Sequence, residues 1–209
     1  MKNMLKDALI LFVITLIAGA VLGLVYDVTK EPIAKQQQLA KDAAYKEVFA
    51  DAKKFEEIAM TPDLAPDKLS AYVSEQGYNA SIDGVASAFD GNGNLIGYVI
   101  TVTTHEGYGG DIQFTMGVRN DATLNGISIL SIAETAGLGM RAGEVLVPQF
   151  ADKQAEVFVT SKTEATSPEE IDAISGATIT TDAFVGGVNA GLACFREFLA
   201  DTEGGAQNE

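Results

Sequence analysis

The hydrophobic pattern changes period along the chain. Residues 8–26, from Ala8 to Tyr26, carry no charge, and a helix of that length crosses a bilayer core of about 30 Å. From Pro32 to about Met60 a polar helical pattern resumes, with Ile33, Ala40, Ala44, Val48, Ala52, Phe55 and Ile58 at helical spacing, until Thr61-Pro62-Asp63 and Pro66 break it. From Val85 the period falls to two. Val85–Phe89 and Leu95–Thr104 read as strands across Asp90-Gly91-Asn92-Gly93, a strong hairpin signal. Ile112–Val118 and Leu124–Ala133 add two more strands around an Asn120-Asp121 turn. Helical patterns lie on both sides of this antiparallel meander, so the expected class is α+β.

The C-terminal third predicts two helices. Ser167-Pro168-Glu169-Glu170 has the form of a capping box with Pro at the first helical position, giving a short helix to about Ala173. Phe184, Val185, Val188, Leu192, Phe195, Phe198 and Leu199 predict an amphipathic helix from about Asp182, with Thr180 or Thr181 as N-cap and Asp182 in the first turn. The stretch from Asp172 to Asp182 therefore packs a turn, several hydroxyls and a helix start together. Free N–H groups at such a start attract anions. The local pattern alone is also met if the hydroxyls only cap a helix and Gly176 only makes a turn.

Composition narrows the chemistry. A formal net charge of −15 over 209 residues argues against nucleic-acid binding. The single Cys194 excludes an intrachain disulfide, a Cys-based zinc site and a four-cysteine cluster, and its place in an apolar helix predicts a buried thiol. His105 is the sole histidine, too few for a typical zinc site. No Ser/His/Asp set or paired carboxylates stand out, so no complete active site is expected. Two loops are unusually glycine-rich, His105-Glu106-Gly107-Tyr108-Gly109-Gly110 and Glu134-Thr135-Ala136-Gly137-Leu138-Gly139-Met140-Arg141; their glycines would let backbone approach a ligand closely, and taken alone the pattern is met better by a pair of tight turns. Around the apolar stretch, Lys2 and Lys6 balance Lys30 and Lys35, the amino terminus tips the count toward N-inside, and Tyr26 fits an interfacial anchor. No small-x-small cleavage site ends it, so it reads as a retained span. Thr15, Gly19 and Gly23 fall on one face and would allow close contact with another membrane segment.

Asp172-x-x-Ser175-Gly176-Ala177-Thr178-x-Thr180 resembles the flavinylation motif of the FMN-binding domain family. In that family an FMN transferase links the FMN phosphate to the hydroxyl of the last Thr, here Thr180. Gly107-Tyr108-Gly109-Gly110, Ile112, Gly117-Val118, Gly126-Ile127 and Glu134-Thr135-x-Gly137-Leu138-Gly139 widen the likeness. The chain resembles the G subunits of Rnf-type ferredoxin:NAD oxidoreductase complexes and is similar to the C subunits of sodium-pumping NADH:quinone reductases. Its compact length favours the former. One departure is Ala136, where the family usually has Pro.

The resemblance implies a single N-in transmembrane helix in the cytoplasmic membrane and an extracytoplasmic α+β domain with covalent FMN. Thr180 would carry the phosphoester within a shell of Asp172, Ser175, Gly176, Ala177 and Thr178. Glu134, Thr135, Gly137, Leu138 and Gly139 would approach the isoalloxazine. The chain would pass electrons in a membrane complex that couples electron flow to ion translocation, with the coupling in other subunits and an FMN transferase needed for maturation. The alternatives are a C-type subunit of a sodium-pumping NADH:quinone reductase, a stand-alone membrane-anchored extracytoplasmic flavoprotein, and a non-redox stalk-and-head protein. The expected divisions are an anchor at 1–30, a helical stalk and first part of the domain at 31–80, the FMN-binding domain at 81–200, and an acidic flexible tail at 201–209.

Overall fold

The structure, a computed structural model, describes residues 2–58 and 64–200. The chain divides into two compact units, Met1–Asp42 and Ala43–Glu209. In the first unit, helix α1 (Lys2–Val48) runs through Pro32 without interruption. One helix replaces the anchor and separate stalk helix expected from the sequence, because a mid-helix Pro removes one N–H donor while its neighbours continue the ladder. The large apolar side chains from Leu9 to Val25 are exposed. Thr15 and Thr29 turn their hydroxyls onto the carbonyls of Leu11 at 3.0 Å and Val25 at 2.8 Å, which leaves the helix surface apolar. Among the described residues, this is the one helix long and apolar enough to cross a membrane.

In the second unit, α1 ends at Val48, well before the helix end near Met60 expected from the sequence. Phe55 lies instead in strand β1 (Lys54–Glu57), paired with Ala88. Cross-strand pairing here overrides the helical spacing of Ala52, Phe55 and Ile58. The predicted break at Thr61–Asp63 falls outside the described residues. Helix α2 (Pro66–Glu75) follows with Pro66 in its first turn, and it buries Leu69 and Val73.

Strands β2 (Ala80–Phe89), β3 (Leu95–Thr104), β4 (Ile112–Arg119) and β5 (Leu124–Ile132) complete an antiparallel sheet in the order β1-β2-β3-β4-β5. The α+β class is as expected, with a fifth strand. Strand β2 begins at Ala80 rather than Val85 because a register shift between Ile82 and Gly84 breaks its alternation. In the β2–β3 turn the Asp90 carboxylate accepts from the Asn94 amide at 2.9 Å and the Asn92 amide at 2.8 Å. Those bonds, Asn94 first, hold its carboxyl below the usual range.

Alternate side chains of the sheet enter two different cores. Val85, Ile100, Val102, Phe114 and Met116 belong to the larger one, which includes α2 and helix α5 (Thr178–Phe198). Ala86, Ala88 and Val99 point the other way, onto Tyr45, Val48 and Phe49. In the larger core Phe184 of α5 stacks on Phe114 with ring centroids 4.8 Å apart. Short helices α3 (Ala142–Val145) and α4 (Val147–Phe150) lead to a parallel pair, β6 (Val159–Ser161) and β7 (Glu170–Asp172).

Strand β7 replaces the predicted helix over 167–173. Ser167 to Glu170 forms a single turn, closed by Glu170 N–H donating to the Ser167 carbonyl at 3.1 Å. The Glu170 carboxylate still reaches back, to Thr166 N–H at 2.6 Å, as an N-terminal capping carboxylate does. Pairing with β6 and burial of Ile171 then extend the chain. Beyond it, the Asn189 side chain bonds both the N–H and the carbonyl of Phe158 at 2.8 Å, tying α5 to the segment before β6.

Two consequences can be measured. A Cβ at Gly97 (φ +155) would collide with the Val118 carbonyl oxygen and meet Arg119 Cα at 2.9 Å, whereas at Gly126 the nearest atom is Val48 Cα at 3.7 Å. Gly97→Ala should therefore cost about 2 kcal/mol, and Gly126→Ala about 0.5 kcal/mol or less, by urea unfolding followed by circular dichroism. Equal effects would contradict the packing. Cys194 is buried, and desolvation pushes its thiol up to about 12 from 9.0. Above the unfolded value the unfolded chain loses a proton that the native thiol keeps. This group's stabilisation, complete below pH 9, should thus decline between pH 9 and 12, by about 1.4 kcal/mol per unit. A Cys194→Ala chain should lack that component of the pH dependence.

Candidate functional site

The Glu134–Gly139 loop and the Asp172–Thr180 stretch converge through a pair of like turns. Leu138 N–H donates to the Thr135 carbonyl at 3.1 Å, and Ala177 N–H to the Ile174 carbonyl at 2.9 Å. In each turn the third residue is glycine with positive φ, +77 at both Gly137 and Gly176. That is the type II arrangement, which only glycine adopts without strain. Ala136 occupies the second position of the first turn, a place that suits proline. Alanine there still permits the turn.

Between these turns opens a cleft of about 510 Å³. One wall is Glu134, Thr135, Leu138 and Gly139, from the segment after β5. The other is Gly176 to Thr180, the start of α5. Of the residues expected at the site, these line it; Asp172, Ser175 and Gly137 do not. The Asp172 carboxylate accepts from Ala165 N–H at 2.6 Å, while the Gln149 side chain bonds the Asp172 backbone N–H at 2.7 Å and carbonyl at 3.1 Å. Asp172 thus fixes the strand that delivers the loop. Ser175 is exposed on the turn, and Gly137 shapes the opposite one.

Helix α5 begins earlier than its apolar spacing implies. Its N-cap is Ala177, without a side-chain cap, and the first helical bond is Thr181 N–H to the Ala177 carbonyl at 3.0 Å. Neither Thr180 nor Thr181 is the cap, and Asp182 lies beyond the first turn. The Thr181 hydroxyl works from inside the helix: it accepts from Ile174 N–H at 3.1 Å and donates to the Ala177 carbonyl at 3.0 Å. The backbone N–H groups of Thr178, Ile179 and Thr180 are left without acceptors among the described residues, and such groups bind anions.

Thr180 is 2 % exposed, and its hydroxyl bonds nothing among the described residues. It lies against Gly139, where an added Cβ would meet Thr180 Oγ1 at 2.6 Å and Glu134 Cβ at 2.8 Å. Glu134 Oε2 accepts from Gly109 N–H at 3.3 Å, and its Oε1 is buried with no partner. Tyr108 and Ile179, not among the expected site residues, also line the cleft, 71 % and 55 % exposed. Their signals were an aromatic set between glycines and an apolar residue at a helix start. His105 sits in its loop, paired with Asp111 at 3.1 Å. Among the described residues no side-chain cluster suits a metal.

Free N–H donors, an unengaged hydroxyl, an orphan carboxylate oxygen and apolar walls suit a phosphate-bearing aromatic ligand. Residues 107–193 match the FMN-binding domain family, and residues 1–48 match the RnfG N-terminal region. The chain is 31% identical to the G subunit of the Na(+)-translocating ferredoxin:NAD(+) oxidoreductase complex of Acetobacterium woodii, over 93% of each chain. It is 27% identical to the G subunit of the ion-translocating oxidoreductase complex of Methanosarcina acetivorans, over 91% of this chain and 94% of that one. A crystal structure of Shewanella oneidensis NqrC is also similar, with 22% identity and a TM-score of 0.45 over 54% of this chain and 57% of that one. The chain belongs to the family of G subunits of ion-translocating ferredoxin:NAD(+) oxidoreductase complexes, and the cleft lies within its FMN-binding domain.

Proposed function

We propose that this chain is the electron-carrying G subunit of a membrane-bound oxidoreductase complex and holds FMN through a phosphoester on Thr180. The observation that carries the reading is the contrast between neighbouring hydroxyls. Thr181 is committed to two hydrogen bonds, whereas Thr180 Oγ1 is free at the cleft. Three unpaired N–H groups beside it would stabilise a phosphodiester anion. Tyr108, Leu138 and Ile179 offer apolar surface for an aromatic ring system, and Glu134 Oε1 is an acceptor awaiting a donor. FMN supplies one- and two-electron transfer when bound; the chain contributes the tether, orientation and local polarity.

On this reading the apolar part of α1 crosses the cytoplasmic membrane once, N-terminus inside, and the FMN-binding domain is extracytoplasmic. A covalent link keeps a small cofactor from diffusing away there. An FMN transferase installs it. Other membrane subunits carry the ion coupling, and this chain serves as an electron carrier. The anchor is then 1–30, the stalk and start of the domain 31–80, the FMN-binding domain 81–200, and the tail 201–209.

Co-expression with an FMN transferase, denaturation and peptide mass mapping test the tether. Thr180→Ala should carry no adduct. Thr181→Ala should keep it on Thr180 while losing about 1–3 kcal/mol of stability, because it leaves the buried Ile174 N–H without an acceptor. An adduct on Thr181, or one surviving in Thr180→Ala, would place the link elsewhere. In α1 an added Cβ at Gly19 or Gly23 meets no atom within 4 Å. Gly19→Leu with Gly23→Leu should therefore leave the chain folded yet weaken co-purification with the membrane subunits. Wild-type yield in that pull-down would remove this face from the assembly.

A further inference from the structure

We infer that Glu134 is a positioning residue that sets Tyr108 as the third wall of the cleft, and that the Tyr108 ring lies against the aromatic ring system of the ligand held there. This deepens the reading of a flavin tethered at Thr180 and rests on it. Tyr108 is the one aromatic side chain among the described residues that line the cleft, and the chain contains no tryptophan. It stands at the centre of the connection between β3 and β4, residues 105–111. The base of that connection is closed by His105 Nδ1 and Asp111 Oδ1 at 3.1 Å. Its tip has a separate hold.

That hold is Glu134. Its Oε2 accepts from Gly109 N–H at 3.3 Å, the one hydrogen bond that residues 106–110 make with other described residues. Its Oε1 lies against the residue on the other side of Tyr108: a Cβ at Gly107 would meet Oε1 at 2.8 Å and collide with the Gly110 carbonyl oxygen. A Cβ at Gly109 would collide with the Ala133 carbonyl oxygen and meet Glu134 Cα at 3.2 Å. Both glycines are therefore needed for the tip to lie this close to Ala133 and Glu134. The carboxylate thus grips the residues before and after Tyr108, while the ring between them stays 71 % exposed at the cleft. A side chain so exposed owes its place to its backbone rather than to packing. An uncovered aromatic face at the edge of a cleft is a surface that a second ring system can bury by offset stacking.

The probe is the fluorescence of the attached flavin in the full-length chain, co-expressed with an FMN transferase and purified in detergent. An excited flavin takes an electron from a phenol ring in contact with it and returns it without emitting, which a phenyl or aliphatic side chain does not support. Tyr108→Phe and Tyr108→Leu should therefore raise emission severalfold, with the thermal midpoint unchanged because the ring is exposed. Glu134→Ala should raise emission to the same level with Tyr108 still present, and adding Tyr108→Leu should raise it no further. Glu134→Gln, whose amide oxygen can still accept from Gly109 N–H, should keep the wild-type quenching. Unchanged emission in both Tyr108 variants overturns the ring contact. Full quenching in Glu134→Ala, or a further rise in the double variant, overturns the positioning role. Each of those results leaves the Thr180 tether standing, whereas absence of flavin on Thr180 in the wild-type chain overturns the tether and the inference together.

Discussion

The double hydrogen bond of the Thr181 hydroxyl is the constraint on which the cleft depends. One oxygen satisfies Ile174 N–H before the turn and the Ala177 carbonyl after it, all in a buried setting. The turn cannot widen without orphaning the buried Ile174 N–H, at about 1–3 kcal/mol, while the Ala177 carbonyl would keep the Thr181 N–H. Because Thr181 does this from within the helix, the first turn of α5 needs no side-chain cap. Its N–H groups therefore stay open to a ligand, and Thr180, one residue earlier, is left facing the cleft. Removing the latch would lose the turn, the helix start and the acceptor position together.

Strand alternation, the hairpin at Asp90 and the burial of the last helix were legible in sequence because each rests on contacts close along the chain or on a single period. The failures have a common cause. At 167–173 a good capping signal lost to pairing with β6 and burial of Ile171, partners that local pattern does not reveal. At Phe55 helical spacing lost to the edge of a sheet whose nearest strand lies some thirty residues on. At the start of α5, Thr is a preferred cap, and nothing local says that Thr181 bonds backward from inside the helix.

The site was legible in a different way. Glycine marked both turns, because positive φ leaves little choice of residue, and the hydroxyl run marked the helix start. What the motif could not show was the division of labour within it. Asp172 belongs to the scaffold, pinned between Gln149 and Ala165, although it stands in the same run of residues as Thr180. Tyr108 reaches the cleft from a third segment. Its aromatic side chain is ordinary on a surface loop until the other two walls are placed beside it.

The position of Thr180 on a helix rather than on the adjoining turn has a mechanical consequence. Helix α5 is buried for most of its length and stacks through Phe184 on the sheet at Phe114, so the Thr180 hydroxyl shares the rigidity of the core. A group attached there pivots about one fixed end, and its reach is set by its own chain length rather than by loop motion. Under the proposed tether, the domain would act like a stiff arm with a short flexible wrist, confining its cargo to a small arc and presenting it at a repeatable distance to whatever lies opposite.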